Sequence, residues 1–309
     1  MLALLAPGCG DDESEAGEQA NEDVTIRIAV NPWTGSAANA NVAKVLLEQE
    51  LGYTVELVEI DENSQFPAIA SGELDAALEV WPSGHAADIN RYIEGRRGGF
   101  LRDGGIVRGG ELGIVGNIGW WVPTYLVNER PELARWQGLR GNEELVGGEF
   151  VAGDPTFVSY DNEIIKNLGL DLQVVNTGSE RALIRAIDRA YKRREPVLAY
   201  FYTPHWAQQR YDLTEVQLPA FDEDCEEAAR ERDGEGYDCD YANDVLFKMF
   251  WLGLEDKAPE AFRLLEKFNY TTEDQQEIAF QVDARGVPIE EAAEQWVRQN
   301  PDVWRPWLS

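Results

Sequence analysis

The sequence of 309 residues reads as an α/β protein of two lobes with a ligand cleft between them. Three observations carry this reading. Short apolar strands alternate with amphipathic helices from Val24 to Phe201, the pattern of a mostly parallel sheet with covering helices. A second unit repeats that layout without an evident sequence repeat. Several strands end in an aromatic residue next to a proline, and in open α/β sheets ligands bind at the carboxyl ends of strands.

In chain order, Val24, Ile26, Ile28 and Val30 have period two and predict the first strand, which ends at Pro32-Trp33-Thr34-Gly35. Ser36 is placed to cap a helix whose apolar face is Ala38, Val42, Val45 and Leu46. Val55 to Ile60 is the second strand, Gln65 to Ser71 a short helix, and Asp75 to Trp81 the third strand. A Gly-rich basic connection, Arg96-Arg97-Gly98-Gly99, leads to extended chain over Leu112 to Pro123 that crosses to the second unit. There Glu149–Ala152, Leu172–Val175 and Pro196–Phe201 read as strands, and Ser159–Leu168 and Glu180–Arg194 as helices. Beyond Leu213 the chain reads as mainly helical: Asp244–Leu254, Ala258–Phe268, Glu273–Asp283 and Ile289–Gln299. Residues 24–117 and 214–309 are assigned to lobe 1, and 118–213 to lobe 2.

The N-terminus, Met1-Leu2-Ala3-Leu4-Leu5-Ala6-Pro7-Gly8-Cys9, resembles the tail of a bacterial lipoprotein signal peptide, with small residues before a Cys that becomes lipidated. Residues 10–23 carry only acidic charge and almost no apolar side chain, which makes them a disordered tether. No apolar run approaches the ~20 residues of a membrane span. A formal charge of −30 argues against nucleic acid or anionic lipid as partners. With Cys9 lipidated, Cys225 and Cys239 are an even pair in an exported protein, so a disulfide between them is expected. The loop around them lacks an EF-hand pattern, and no metal or other cofactor is expected.

Trp33 and Trp81 close the first and third strands, Trp120-Trp121 precedes Pro123, and Tyr202-Thr203-Pro204-His205-Trp206 follows the last strand of the second unit. Such rings suit a quaternary ammonium ion. That ion has no N–H to donate, and its charge is spread over methyl groups that prefer apolar contact. An aromatic face attracts it by ~0.5–2 kcal/mol per ring. A buried carboxylate must instead be stripped of water.

Residues 24–215 are similar to the substrate-binding domain of glycine betaine/choline ABC importers, the OpuAC-type family. The resemblance lies in Val30-Asn31-Pro32-Trp33, Gly52-Tyr53-Thr54-Val55-Glu56-Leu57-Val58-Glu59, Gly72-Glu73-Leu74-Asp75 running into Trp81-Pro82, and Thr203-Pro204-His205-Trp206 before Arg210-Tyr211-Asp212-Leu213. It implies the type II periplasmic-binding-protein-like fold and an aromatic cage of Trp33, Trp81, Trp120 and Tyr202, where Tyr202 replaces a more usual Trp. It also implies that the strand-to-helix loop 153–159, with Thr156, Phe157 and Val158, receives a ligand carboxylate on its backbone N–H groups. His85 and His205 are candidate extra donors, although a turn-stabilising role for His85 and a helix cap for His205 are the simpler readings. Choline-specific relatives tend to place an Asp shortly after the first Trp; Thr34-Gly35 stand here, which leans toward a betaine. Trp121, Tyr125, Tyr160, Tyr200 and Trp206 are assigned to packing, and Trp296, Trp304 and Trp307 to core or a permease-facing surface.

The expected protein is therefore an extracytoplasmic, lipid-anchored monomer, in contact with the membrane only through its anchor. Its partners are a small quaternary ammonium ligand, an ABC permease and the permease's ATPase. No nucleophile elbow, phosphate loop or zinc spacing points to an enzyme. A carbohydrate-active enzyme with Trp platforms and paired carboxylates is the rival class. A receptor of the same fold for choline, carnitine or another organic cation, such as a polyamine, is a third; Glu79 is the only nearby carboxylate for it.

Overall fold

The computed structural model describes residues 21–94, 105–232 and 234–309. Three parallel strands open the chain: β1 (Thr25–Val30), β2 (Thr54–Glu59) and β3 (Ala76–Val80), with β1 between the other two. The strand that joins the two halves of the molecule is β4 (Ile106–Pro123), 18 residues long. Beyond it lie β5 (Glu149–Ala152), β6 (Gln173–Asn176), β7 (Leu198–Thr203), β8 (Leu213–Glu215) and β9 (Asp244–Trp251). The order is β2-β1-β3-β9-β4-β7-β5-β6, with β8 also on β4. The first part of β4, from Ile106 to Gly116, pairs with β9; the last part, from Asn117, pairs with β7 and β8. One long strand thus serves both sheet halves, and the two-lobed α/β layout follows from its two sets of partners.

The one element misread from the sequence is β9, expected as a helix over 244–254. Leu246 to Phe250 are all buried, and the strand lies antiparallel between β3 and β4. A strand covered on both faces has no alternation to betray it, so periodicity cannot separate it from a buried helix.

Helix α1 (Thr34–Gln49) buries Ala38, Val42, Val45 and Leu46, the face predicted for it. It starts two residues before Ser36, with Trp33 as N-cap; the Ser36 hydroxyl instead accepts the Asn31 N–H at 2.9 Å. Helix α2 (Glu62–Ala70) is capped by Asp61, which accepts the Ser64 N–H. In the second half, α3 (Asp161–Asn167) follows β5, and α4 (Glu180–Arg193), capped by Ser179, buries Leu183, Ile184 and Ile187. Helix α5 (Glu223–Glu231) carries Cys225, which is disulfide-bonded to Cys239. The C-terminal helices α6 (Pro259–Lys267), α7 (Thr272–Asp283) and α8 (Ile289–Gln299) return to the first half, where α7 and α8 pack on α1. Trp296, Trp304 and Trp307 are buried there and belong to the core.

Cys9 and most of the acidic stretch lie outside the described residues. Its end is anchored, because Asn21 Nδ2 donates to the Leu51 carbonyl at 2.9 Å. Among the described residues no helix is long and apolar enough to cross a membrane.

Candidate functional site: an aromatic hollow at the strand ends

Trp33 follows β1 and Trp81 follows β3, and each side chain turns inward to 7% exposure. Together they line a hollow of about 370 Å³, its mouth included. Phe157, Val158, Tyr200 and Tyr202, from the loop after β5 and from β7, line it from the second half of the chain. Glu62, Gly84 and Ile118 complete the lining. The two sides meet edge to face. Trp33 and Phe157 have centroids 6.0 Å apart at 74°, and Trp81 and Tyr202 are 5.3 Å apart at 76°. These are favoured aromatic geometries, and they leave ring faces free to bound a cavity. Trp33 also borders an outer groove that contains Thr156.

A single carboxylate sets both indoles. Glu79 Oε1 accepts the ring N–H of Trp33 at 2.7 Å and that of Trp81 at 3.0 Å. Its Oε2 accepts from Asn39 Nδ2 at 2.6 Å and Gln275 Nε2 at 2.7 Å. Burial pushes its pKa up to about 7, against the lowering effect of those donors. Gly35 on α1 makes room for it, since a Cβ there would lie 3.0 Å from Glu79 Oε2. Glu79 sits in the middle of a strand whose every residue is buried, so its own sequence context demanded donors.

A second buried carboxylate places the tyrosine. The Tyr202 hydroxyl donates to Glu180, which also accepts the Thr34 N–H at 2.8 Å and lies 3.5 Å from His205 Nε2. Burial raises the Glu180 carboxyl, but His205, Tyr202 and the Thr34 amide together hold it below the usual range. Asp283 joins this junction by accepting from Thr34 Oγ1 at 2.9 Å and Trp206 Nε1 at 3.0 Å. Glu180, His205 and Asp283 cluster closely enough to interest a metal ion, yet the two carboxylates are already served by these donors.

Of the four rings expected in a cage, the structure brings Trp33, Trp81 and Tyr202 around one hollow and leaves Trp120 outside it. Trp120 is fully buried, packs on Phe150 at 4.7 Å and donates its N–H to Asp161 at 2.7 Å. It shares a face of β4 with Ile118 and pairs with Tyr200, but Phe150 and Asp161 hold its ring in the core of the second half. Tyr200, assigned to packing, lines the hollow instead. Phe157 and Val158 are in the wall as expected, whereas Thr156 is turned into the outer groove and bonds Asp154. His205 accepts the Ala207 N–H on Nδ1 at 3.1 Å, a local cap.

His85 is buried beneath the hollow between two carboxylates. Its Nε2 lies 3.0 Å from Glu62 Oε2 and its Nδ1 lies 3.4 Å from Asp88 Oδ2. Burial pulls its pKa down, but Asp88 and Glu62 overcome this and raise it to about 9. Glu62 had no signal in the sequence. Asp61-Glu62 at a helix start is ordinary first-turn acidity, and only the fold turns that side chain inward.

Residues 24–299 match the substrate-binding domain of ABC-type glycine betaine transport systems. The chain belongs to this family. The glycine betaine/carnitine transport binding protein of Listeria monocytogenes is 28% identical over 134 residues, a stretch that spans 43% of this chain and 38% of that protein. The trimethylamine N-oxide-binding protein of Pelagibacter ubique is 24% identical over 297 residues, 91% of this chain and 90% of the other. The lactococcal binding protein crystallised closed around glycine betaine superposes with a TM-score of 0.73 at 19% identity, covering 93% of this chain and all of that one. That superposition establishes the fold, the two-lobed one expected.

Proposed function

We propose that the protein is the extracytoplasmic receptor of an ABC importer and captures a methylated quaternary ammonium compound in the hollow bounded by Trp33, Trp81, Tyr200, Tyr202 and Phe157. The observation that carries this is the pair of indoles held by one carboxylate at the ends of β1 and β3. Their N–H edges are occupied, so what they offer to the hollow is apolar surface with negative potential. A spread-out cation with no N–H is the ligand that such a surface favours. Three or four rings supply several kcal/mol at ~0.5–2 kcal/mol each, enough for micromolar capture with one further contact.

The lobes in this reading are 24–117 with 214–309, and 118–213, and the change of partners along β4 at Gly116–Asn117 supports that boundary. Capture closes the lobes about their connecting strands, a hinge motion, and the loaded receptor hands its solute to the permease. A lipid on Cys9 is the tether in this reading, supported by the small residues before that cysteine. The Cys225–Cys239 disulfide fits an oxidising compartment.

Calorimetry on the whole chain with choline, glycine betaine, carnitine and a disaccharide tests the proposal. Saturable binding of a methylammonium compound, without turnover, is the expected result. Binding of the disaccharide alone would replace the proposal with the carbohydrate reading.

A further inference from the structure

We infer that Glu62 makes this hollow selective for methylated ammonium compounds that carry no carboxylate of their own. The inference rests on the proposed function and narrows its ligand class. A carboxylate held beside an aromatic cage needs N–H or O–H donors, and here the Thr156, Phe157, Val158 and Tyr160 amides, both cage indoles and the Tyr202 hydroxyl are taken by the protein's own acceptors. The Val158 N–H donates to Glu62 Oε1 at 3.2 Å, and His85 Nε2 is paired with Glu62 Oε2 at 3.0 Å. In the same loop the Thr156 N–H goes to Asp154 Oδ1 at 2.9 Å and the Phe157 N–H to the Asp154 carbonyl at 3.1 Å. The Tyr160 N–H goes to the Tyr241 hydroxyl at 2.7 Å. The Tyr202 hydroxyl is committed to Glu180, and both indole N–H groups to Glu79. Among the described residues no lysine or arginine lines the hollow.

Glu62 therefore occupies the seat that a ligand carboxylate would take on loop 153–159. It is an ordered seat: the side chain is only 9% exposed and bridges α2 of the first half to the loop after β5 in the second. A betaine would have to expel this carboxylate from two charge-assisted contacts or lie beside it as a like charge. Asp88, Asp161, Asp244 and Glu180 stand around the same region, and among the described residues His85 is the cation paired with Glu62. A ligand without a carboxylate leaves all these bonds intact. It presents positive methyl groups to an acidic surround, and a ligand hydroxyl finds a lone pair on Glu62, which as a carboxylate is an acceptor only.

Binding of choline, trimethylamine N-oxide, glycine betaine and carnitine to the whole chain, wild type and Glu62→Gln, decides the matter. The carboxamide keeps the size and one acceptor and removes the charge. The expected result is that wild type binds choline or the N-oxide at least about tenfold tighter than either carboxylate-bearing compound, and that Glu62→Gln shrinks this ratio by at least about threefold. A smaller wild-type preference, a preference for betaine or carnitine, or a ratio the substitution fails to shrink by that factor overturns the inference and leaves the proposed function standing. If Glu62→Gln does not fold, the wild-type ranking decides alone. Binding of none of the four removes the proposed function and this inference with it.

Discussion

Gly116 lies on β4 where its backbone passes under the indole of Trp81. A Cβ built there would stand 2.3 Å from Trp81 Cζ3 and 2.5 Å from Cη2. Ordinary carbon contacts are ~3.5–4.0 Å, so Gly116→Ala requires a displacement of roughly 1 Å or more. The ring cannot slide freely, because its N–H is held by Glu79 at 3.0 Å and its edge meets Tyr202. Overpacking of this kind costs about 1–3 kcal/mol of stability. The displaced ring also loses its place in the hollow, which removes up to one ring's share of cation attraction, ~0.5–2 kcal/mol, or about 2- to 30-fold in affinity. The assay is paired: thermal unfolding by circular dichroism, and calorimetric titration with the tightest methylammonium ligand. The expected variant is folded, has a lower Tm, and binds about tenfold more weakly. A folded variant with unchanged affinity would show that the position of Trp81 does not matter to binding, and the argument from the hollow would fail.

Three further expectations follow from the same geometry. Trp33→Ala and Trp81→Ala should each weaken methylammonium binding by about tenfold or more, and wild-type affinity in both would take these rings out of the site. Reduction of Cys225–Cys239, which closes a separation of 14 residues, should lower stability by ~3 kcal/mol and leave ligand preference unchanged; an unmoved Tm counts against a structural role for the bridge. Stability should fall as pH rises from 5 to 8, below the range where the buried Lys248, lowered to about 8 by burial, acts the other way. Burial lifts Glu79 to about 7 and Asp161 and Asp244 to about 6, and carboxyls raised by burial stabilise the fold fully below their unfolded values and lose that contribution through their folded ones. His85, which Asp88 and Glu62 raise to about 9 against its burial, stabilises below its ordinary 6.5 and loses that through 9, the same direction. A Tm that climbs between pH 5 and 8 would contradict these shifts, and Glu79→Gln should flatten the slope.

The strand-and-helix order of the first half was legible from periodicity in β1 and α1, and in β3, buried throughout, from a short apolar run that ends at Trp81-Pro82. Ile26 and Ile28 alternate with polar neighbours, and α1 carries a clean apolar stripe. β9 was not legible, since Leu246-Phe247-Lys248-Met249-Phe250 is buried all round and a lysine in its midst reads as helix surface. That Trp33 and Trp81 share one hollow was legible from their position before turns at the ends of neighbouring strands. Trp120 falls outside the hollow although it is the inward member of its doublet and shares a face with Ile118, because Phe150 and Asp161, distant in sequence, take up its ring. Glu62 and Tyr200 were illegible for a different reason. Their role depends on which loop of the other half lies opposite, and no local pattern encodes a contact between residues 62 and 158.

One rule of physical chemistry accounts for most of the acids buried in this cleft. A buried Trp or Tyr needs an acceptor for its N–H or O–H, and an ionised carboxylate accepts from several directions without demanding a donor back. Here Glu79 takes Trp33 and Trp81, Asp161 takes Trp120 and Tyr241, Glu180 takes Tyr202, and Asp283 takes Trp206. Each acid fixes its rings by their polar edges, and for Trp33, Trp81 and Tyr202 this leaves apolar surface for the hollow. The same acids surround the hollow with negative charge that is not in direct contact with a ligand, so a cation gains attraction without the desolvation of an exposed carboxylate. Asp244, which takes the Ser83 N–H and hydroxyl, and Glu62 depart from the pattern. Glu62 serves no Trp or Tyr, it lines the hollow, and it takes a backbone N–H and an imidazole. An acid that orients no cage ring, placed where the two halves of the chain meet, is in the inference above the residue whose charge the ligand itself must answer.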